Sequence, residues 1–283
     1  MQAPSFEQGL KLVVEALRSL EEQSELHGNV ELLHHIERLK GPLPAKSPAA
    51  TPGRESTASI IEAIQEKGPE ERQRTAKFAA EDFEKLRLTV AACTKCPHLV
   101  ASRHTVVFGV GNPQADLMFV GEAPGADEDL KGEPFVGRAG ELLTRIIQTM
   151  GFQRSDVFIA NVLKCRPNMP AGVSGNRAPT PEEMETCLPY LRKQIELIEP
   201  KIVVALGAVA MRGLFGKTEP MGQMRGRWLT FGSIPVMPTY HPSYLLRAQA
   251  ISEKRRVWED MLQVLERLGL PISEKQRNYF VVR

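Results

Sequence analysis

The chain has 283 residues, of which 42% are hydrophobic and 25% are charged, and its formal net charge is +2 at pH 7. These proportions are typical of a globular protein, and no apolar run approaches the roughly 20 residues of a membrane-spanning helix. The N-terminus lacks a basic stretch followed by an apolar core, so the sequence predicts no signal peptide and a location in the bacterial or archaeal cytoplasm or nucleoid.

The charge is unevenly distributed along the chain. Residues 1–92 hold 12 Lys and Arg against 15 Asp and Glu, whereas residues 93–283 hold 24 against 19. The net charges are therefore −3 and +5. The weak basic excess of the larger part permits nucleic-acid binding without requiring it.

The first 40 residues are predicted to form a helical segment, because apolar residues recur there at helical spacing. Residues 41–77 are predicted to be a flexible linker with a weak helix, since residues 41–58 are rich in Pro, Ala, Ser and Thr. A further helix is predicted over Phe78–Leu88. A protein partner for residues 1–40, or self-association through them, is left open, and the protein as a whole is expected to be a monomer.

Strands and helices alternate from Cys93 onward. The predicted strands are Thr105–Phe108, Asp116–Val120, Val157–Val162, Ile202–Leu206, Trp228–Phe231 and Pro235–Thr239. The predicted helices are one around Leu142–Met150, Pro181–Ile198, Ala208–Phe215 and those that end near Leu268. This order predicts a three-layer α/β/α sandwich with a central, mostly parallel sheet over residues 78–270. Residues 271–283 are predicted to be a loose tail, of which Phe280–Val282 could dock.

The stretch from Leu117 to Gly140 is the most informative part of the sequence. A buried strand runs into the turn Gly121-Glu122-Ala123-Pro124-Gly125, and the acidic run Asp127-Glu128-Asp129 follows. Ligands of open α/β sheets bind beyond the carboxyl ends of strands, so a binding site is predicted here. Four acidic side chains would repel a phosphate and suit a neutral ligand, or one that passes through a cation. An ordinary connection with a solvated acidic loop is the alternative.

The four cysteines are Cys93, Cys96, Cys165 and Cys187. In a cytosolic chain, disulfides are not expected. A redox C-x-x-C would use only the first pair, whereas a metal centre would use all four. Four thiolates suit either zinc or an iron–sulfur cluster, and one pair with two distant single cysteines favours iron–sulfur over a zinc ribbon.

Four motifs in this order together resemble those of the family 4, iron–sulfur uracil-DNA glycosylases. They are GEAPGADED at 121–129, the four cysteines, NVLKCRP at 161–167 and HPSYLLR at 241–247. The resemblance covers about residues 84–268. It implies hydrolysis of the N-glycosidic bond of deoxyuridine after base flipping, without lyase activity, as the start of base excision repair. It also implies a structural 4Fe–4S cluster on the four cysteines. The expected partner is uracil-containing DNA, single- or double-stranded, and no membrane.

The resemblance assigns roles in a uracil pocket. Phe135 is expected to stack on the base, and the Asn161 amide to read O4 and N3–H and so to reject cytosine. His241 is expected to hydrogen-bond O2 and to stabilise the departing anion, assisted by backbone amides of Glu122 and Ala123. Without the resemblance, a core contact for Phe135, a strand-end cap for Asn161 and a structural histidine are the simpler interpretations.

Further roles concern the sugar and the DNA. Glu122 and Glu128 are the candidates to stabilise the positive sugar and orient the water, with Glu128 placed near the water and Glu122 as pocket organiser. Leu245 is the expected wedge that fills the space left by the flipped base, and the alternative is a first helical turn that buries two leucines. Arg247 is expected to meet phosphate, and Asn176 to support its loop.

The chain departs from the family pattern between Cys165 and Cys187, where residues 168–174 are additional. A related subgroup forms a covalent DNA adduct through a histidine of this loop. No histidine lies between His104 and His241, so ordinary turnover is expected. Two other hypotheses remain open: a non-catalytic nucleic-acid-binding or replication-associated module that retains the fold and metal, and a zinc protein.

Overall fold

The structure is a computed structural model that describes residues 69–170, 172–173, 175–248 and 250–281. These residues belong to the second of two compact units, Met1–Glu66 and Lys67–Arg283. The predicted helical segment at 1–40 and most of the predicted linker lie outside the described residues. Within those residues, no helix is both long and apolar enough to cross a membrane.

Six strands form one mixed sheet in the order β1-β3-β2-β4-β6-β5. They are β1 (Val110–Gly111), β2 (Leu117–Gly121), β3 (Phe158–Asn161), β4 (Ile202–Leu206), β5 (Leu229–Phe231) and β6 (Ile234–Thr239). The four central strands are parallel, and the two edge strands pair antiparallel with their neighbours. The carboxyl ends of the central strands therefore meet at one edge of the sheet, where the predicted binding turn begins.

Ten helices lie in the described part of the chain. They are α1 (Pro69–Ala91), α2 (Pro97–Val100), α3 (Ala126–Lys131), α4 (Arg138–Met150), α5 (Pro181–Ile198), α6 (Ala208–Phe215), α7 (Met221–Met224), α8 (Pro242–Arg247), α9 (Ile251–Arg267) and α10 (Glu274–Arg277). α5 begins as its sequence predicts, because Thr180 caps it and Pro181 occupies the first turn.

The sheet separates two apolar cores. Alternate residues of β2 face opposite sides, so Met118 and Val120 pack in one core and Leu117 and Phe119 in the other. α1, α5 and α6 contribute to the first core, and α4 and α9 to the second. The predicted α/β sandwich with a mostly parallel sheet is therefore confirmed.

Three local predictions differ from the structure. The helix predicted over Phe78–Leu88 begins nine residues earlier, at Pro69. Thr105–Phe108 is not a strand, because the edge of β3 is paired by Val110–Gly111 instead. The acidic run predicted as a loop contains α3, and its last member, Asp129, is fully buried and accepts hydrogen bonds from the backbone N–H groups of His104 and Thr105.

The predicted loose tail is docked on the domain. The Trp258 indole N–H donates to the carbonyl oxygen of Gln276, and the Gln276 amide donates to the carbonyl oxygen of Thr149 at 2.9 Å. The Tyr279 ring packs edge-on against Trp258, with 5.5 Å between the ring centroids. These contacts hold α10 against α4 and α9, whereas Phe280 at the end of the described chain remains exposed.

Candidate active site

A cavity of about 370 Å³ opens at the carboxyl edge of the parallel strands. It collects side chains from Glu122 to Arg247, which lie 125 residues apart in the sequence. Its lining includes Glu122, Ala123, Pro124, Gly125, Glu128, Phe135, Ala139, Asn161, Asn176, Arg177, Ala178, His241, Ser243 and Arg247. All the predicted base-contacting and carboxylate residues thus meet in one place, as the parallel topology requires.

Gly121 allows the aromatic and amide side chains of the cavity to approach each other. It pairs with Asn161 across β2 and β3. A β-carbon at Gly121 would lie 2.4 Å from the Asn161 Oδ1 atom and 2.6 Å from the Phe135 ring. Phe135 itself has a left-handed backbone, with φ of 54°, which costs free energy in a residue other than glycine. The backbone at Phe135 is therefore strained in the conformation that places the ring in the cavity.

His241 follows β6 and caps α8 with its side chain. Its Nδ1 atom accepts the backbone N–H of Ser243 at 3.1 Å and lies 2.8 Å from the Ser243 hydroxyl. A nitrogen that accepts a backbone N–H carries no proton, so the neutral ring has its proton on Nε2. Burial, with a smaller contribution from Arg247, lowers the pKa of His241 from 6.5 to about 4. His241 therefore offers a neutral Nε2–H donor at neutral pH.

The two candidate carboxylates have different surroundings. Glu128 is fixed by the backbone, since it accepts N–H groups from Gly125 at 3.0 Å, Val136 at 3.3 Å and Gly137 at 3.5 Å. Burial raises the pKa of Glu122, and the positive charge of Arg212 opposes that shift. Glu128 thus organises the loop between β2 and α4, whereas Glu122 is a less constrained carboxyl in the cavity.

One wall of the cavity comes from the segment between Cys165 and Cys187. A β-carbon at Gly125 would lie 3.1 Å from the Nδ2 atom of Asn176, so this asparagine packs directly on the turn after β2. Asn168, the first of the additional residues, is held against the same wall by Arg177, which donates from Nε to the Asn168 carbonyl oxygen at 2.7 Å.

The two predicted DNA-contacting residues on α8 lie in different environments. Leu245 is only 5% exposed, so in this structure its side chain belongs to the packed interior and does not project as a wedge. Arg247 is exposed at the end of α8 and lines the cavity. The phosphate contact expected of Arg247 therefore stays a prediction, whereas the alternative of a buried leucine describes Leu245.

All four cysteines line a second, small cavity beside α5. Arg103 donates to the Cys165 sulfur at 3.0 Å, and the backbone N–H of Lys164 donates to the Cys187 sulfur at 3.3 Å. Burial is the main cause that raises the pKa of Cys165, and it raises the pKa of Cys187 to about 11. Within the described residues, no three His, Cys, Asp or Glu side chains are close enough to share one metal ion.

Sequence reasoning missed several residues that shape the two cavities. Arg212 acts on Glu122 by its charge, Ser243 fixes the His241 tautomer, and Arg103 hydrogen-bonds a cysteine. Of these three residues, only Ser243 could have been found from the sequence, because it lies inside the H-P-S motif. Arg103 and Arg212 are single basic residues in segments without a motif, and only the three-dimensional structure shows their contacts.

Comparisons with known proteins identify the superfamily of this chain. A family model described as the uracil DNA glycosylase superfamily matches residues 108–262. A type-4 uracil-DNA glycosylase of Thermotoga maritima is 47% identical over 176 residues, which are 61% of this chain and 87% of that protein. The type-4 enzyme of Archaeoglobus fulgidus is 42% identical over 58% of this chain and 83% of its own. The type-4 uracil-DNA glycosylase of Saccharolobus solfataricus is 43% identical over 64% of this chain and 83% of that protein.

Proposed function

We propose, because this chain belongs to the uracil DNA glycosylase superfamily, that it hydrolyses the N-glycosidic bond of deoxyuridine in DNA and so starts base excision repair. Membership confirms the resemblance found in the motifs. The observation that carries the proposal is the cavity in which Glu122, Phe135, Asn161 and His241 meet. These four side chains supply a carboxyl group, an aromatic face, an amide and a neutral N–H donor.

Recognition of uracil requires that the base leave the duplex, because its glycosidic bond is otherwise out of reach. In the proposed complex, the Phe135 ring stacks on the base. The Asn161 side chain is 3% exposed, and its amide donates to uracil O4 and accepts N3–H. Cytosine reverses this pattern of donor and acceptor, so a fixed amide discriminates against it. The tight packing around Gly121 supports a fixed amide.

Cleavage produces an electron-poor sugar and a uracil anion. The Nε2–H of His241 donates to uracil O2, where negative charge accumulates, and a neutral donor suits this role. Water adds to C1′ of the sugar and loses its proton to a carboxylate. The contacts favour Glu122 for that step, since Glu128 is occupied by three backbone N–H groups. This reverses the assignment expected from sequence and leaves Glu128 as a fixed negative charge beneath the sugar.

The four cysteines line one cavity, and their spacing, one close pair and two distant single residues, favours an iron–sulfur cluster over a zinc ribbon. Hydrogen bonds to sulfur, such as those from Arg103 and the Lys164 backbone, are usual around such a cluster. We therefore propose that Cys93, Cys96, Cys165 and Cys187 hold this cluster. Hydrolysis needs no electron transfer, so the role proposed for the cluster is structural.

Uracil release from a labelled oligonucleotide tests the proposed function. The protein should generate alkali-sensitive sites in uracil-containing strands and none in thymine-containing strands. Asn161→Ala and His241→Ala should slow this reaction strongly, whereas Asn278→Ala, at an exposed position on the docked C-terminal segment, should not. Absence of cleavage by folded protein with its cluster would instead favour a binding module without catalysis.

A further inference from the structure

The wall of the uracil cavity is connected to the four-cysteine cavity by one ion pair. Arg177 lines the first cavity and Glu183 lines the second. The two groups form two parallel hydrogen bonds, from Nη1 to Oε2 at 2.9 Å and from Nη2 to Oε1 at 2.6 Å. Such a bidentate geometry fixes orientation as well as distance.

The contacts of Arg177 account for every hydrogen-bond donor that it has. A guanidinium carries five N–H groups. Two donate to Glu183, two to the carbonyl and side-chain oxygens of Asn168, and one to the carbonyl oxygen of Ala178. An arginine with all its donors engaged inside the protein is not available to a DNA phosphate. Its contacts instead hold the segments around Asn168 and Glu183 together.

The carboxylate of Glu183 is also engaged by several groups inside the protein. Its side chain is 2% exposed, and besides Arg177 it accepts the backbone N–H of Thr180 at 2.8 Å and lies 2.8 Å from the Nε2 atom of His98. His98 follows the Cys93–Cys96 pair by two residues, and Thr180 caps the helix that carries Cys187. These contacts hold the pKa of Glu183 near 2, with the Arg177 hydrogen bonds as the largest cause. Glu183 thus joins two segments of the chain, the one around His98 and the one that runs from Arg177 into α5.

We infer that Arg177 and Glu183 are positioning residues for base excision, which act by holding Asn176 against the turn after β2. Asn176 precedes Arg177 in the chain and packs on Gly125, so movement of Arg177 would displace both the wall and the turn. The ion pair is also the route by which the proposed cluster would stabilise the uracil cavity. This inference rests on the proposed glycosylase function.

Substitution of Arg177 tests the inference, with Arg87→Gln as the matched control. Arg87 forms a bidentate pair with Glu84 that is exposed on α1, and neither residue lines either cavity. Arg177→Gln should lower the single-turnover rate about 100-fold, as expected for a misplacement of about 1 Å. It should raise the inhibition constant of free uracil and leave the iron content unchanged. Arg177→Lys should behave similarly, because lysine lacks the planar fork.

A double variant shows whether Arg177 acts through Asn176. If it does, Asn176→Ala with Arg177→Gln should be no slower than Asn176→Ala alone. Glu183→Gln is the second probe, since glutamine preserves the capping box but removes the charge. The single-turnover rate of Glu183→Gln, divided by its content of bound cluster, should fall by about as much as the rate of Arg177→Gln, about 100-fold.

Three results would overturn the inference: a rate for Arg177→Gln within twofold of Arg87→Gln, additive losses in the double variant, or weaker DNA binding with an unchanged single-turnover rate. The last result would identify Arg177 as a phosphate contact. Failure of the proposed function itself would be recognised differently, because then neither the unaltered protein nor Arg87→Gln would release uracil.

Discussion

Replacement of Gly121 by alanine should damage the uracil cavity with little change elsewhere. The residue ends β2, and its backbone is not left-handed, so alanine meets no conformational barrier there. The added methyl group would lie 2.4 Å from the Asn161 Oδ1 atom and 2.6 Å from the Phe135 ring. Ordinary contacts between such atoms are about 3.5 Å. The overlap is therefore about 1 Å, and both neighbours are buried.

The expected magnitudes follow from that overlap. Overpacking of a buried site lowers the free energy of unfolding by about 1–3 kcal/mol. For a domain of this size, each kcal/mol lowers the melting temperature by about 2–4 °C. The effect on the reaction should be larger, since a displacement of about 1 Å in a positioning group costs about 100-fold in rate. Activity should thus fall far more than stability.

The assay is single-turnover release of uracil from a labelled oligonucleotide, with thermal unfolding in parallel. Gly222→Ala is the control, because a β-carbon there would meet only the Tyr240 hydroxyl at an ordinary 3.5 Å. A Gly121→Ala protein with the rate of the control would show that Asn161 and Phe135 need not occupy these positions during the reaction, and would refute the reasoning.

Three further predictions concern charge and the cluster. Glu122→Gln should lower the rate at least tenfold with an unchanged or higher melting temperature, because burial disfavours its charge. Glu128→Gln should also lower the melting temperature, since three backbone N–H groups donate to that carboxylate; equal melting temperatures would contradict the two assignments. The folded-state pKa of His241 is about 4 against 6.5 for an ordinary histidine, so its contribution to stability is complete above pH 6.5 and is lost as the pH falls towards 4. His241→Asn should flatten that part of the pH dependence in denaturant unfolding, and an unchanged curve would argue against a neutral buried ring. Cys187→Ser should lower the iron content, the absorbance near 400 nm (about the usual band of thiolate-bound iron) and the melting temperature; a variant that kept iron and fold but lost cleavage would refute a structural cluster.

The central sheet was predictable because its strands are short apolar runs that end in clear turn residues. β2, β3, β4 and β6 all appear where the sequence predicts them, within one or two residues. The errors fall where local pattern and tertiary contact disagree. Phe108 and its neighbours look like a strand but lie outside the sheet, and the tail is polar in sequence but docked by Trp258 and Gln276. Single long-range hydrogen bonds leave no periodic signal.

The residues of the cavity were predictable from motifs, whereas their roles were not. Glu122 and Glu128 are both acidic residues of one turn, and only the three backbone donors to Glu128 separate them. Leu245 illustrates the same limit, since an H-P-S-Y-L-L pattern does not reveal which leucine is buried. The Arg177–Glu183 ion pair could not be predicted from the sequence either, because the sequence does not show that the two cavities are neighbours.

The left-handed backbone at Phe135 has a consequence for anyone who selects variants of this protein for heat resistance. A φ of 54° is far easier for glycine or asparagine than for phenylalanine. Relief of such strain is commonly worth about 1 kcal/mol or more. That gain is smaller than the loss it would bring, because Phe135 is only 6% exposed in the second apolar core and removal of a buried phenylalanine costs about 3–5 kcal/mol. A selection for survival at high temperature alone would therefore retain the aromatic ring at position 135, so packing stability preserves the same side chain that is proposed to stack on the base.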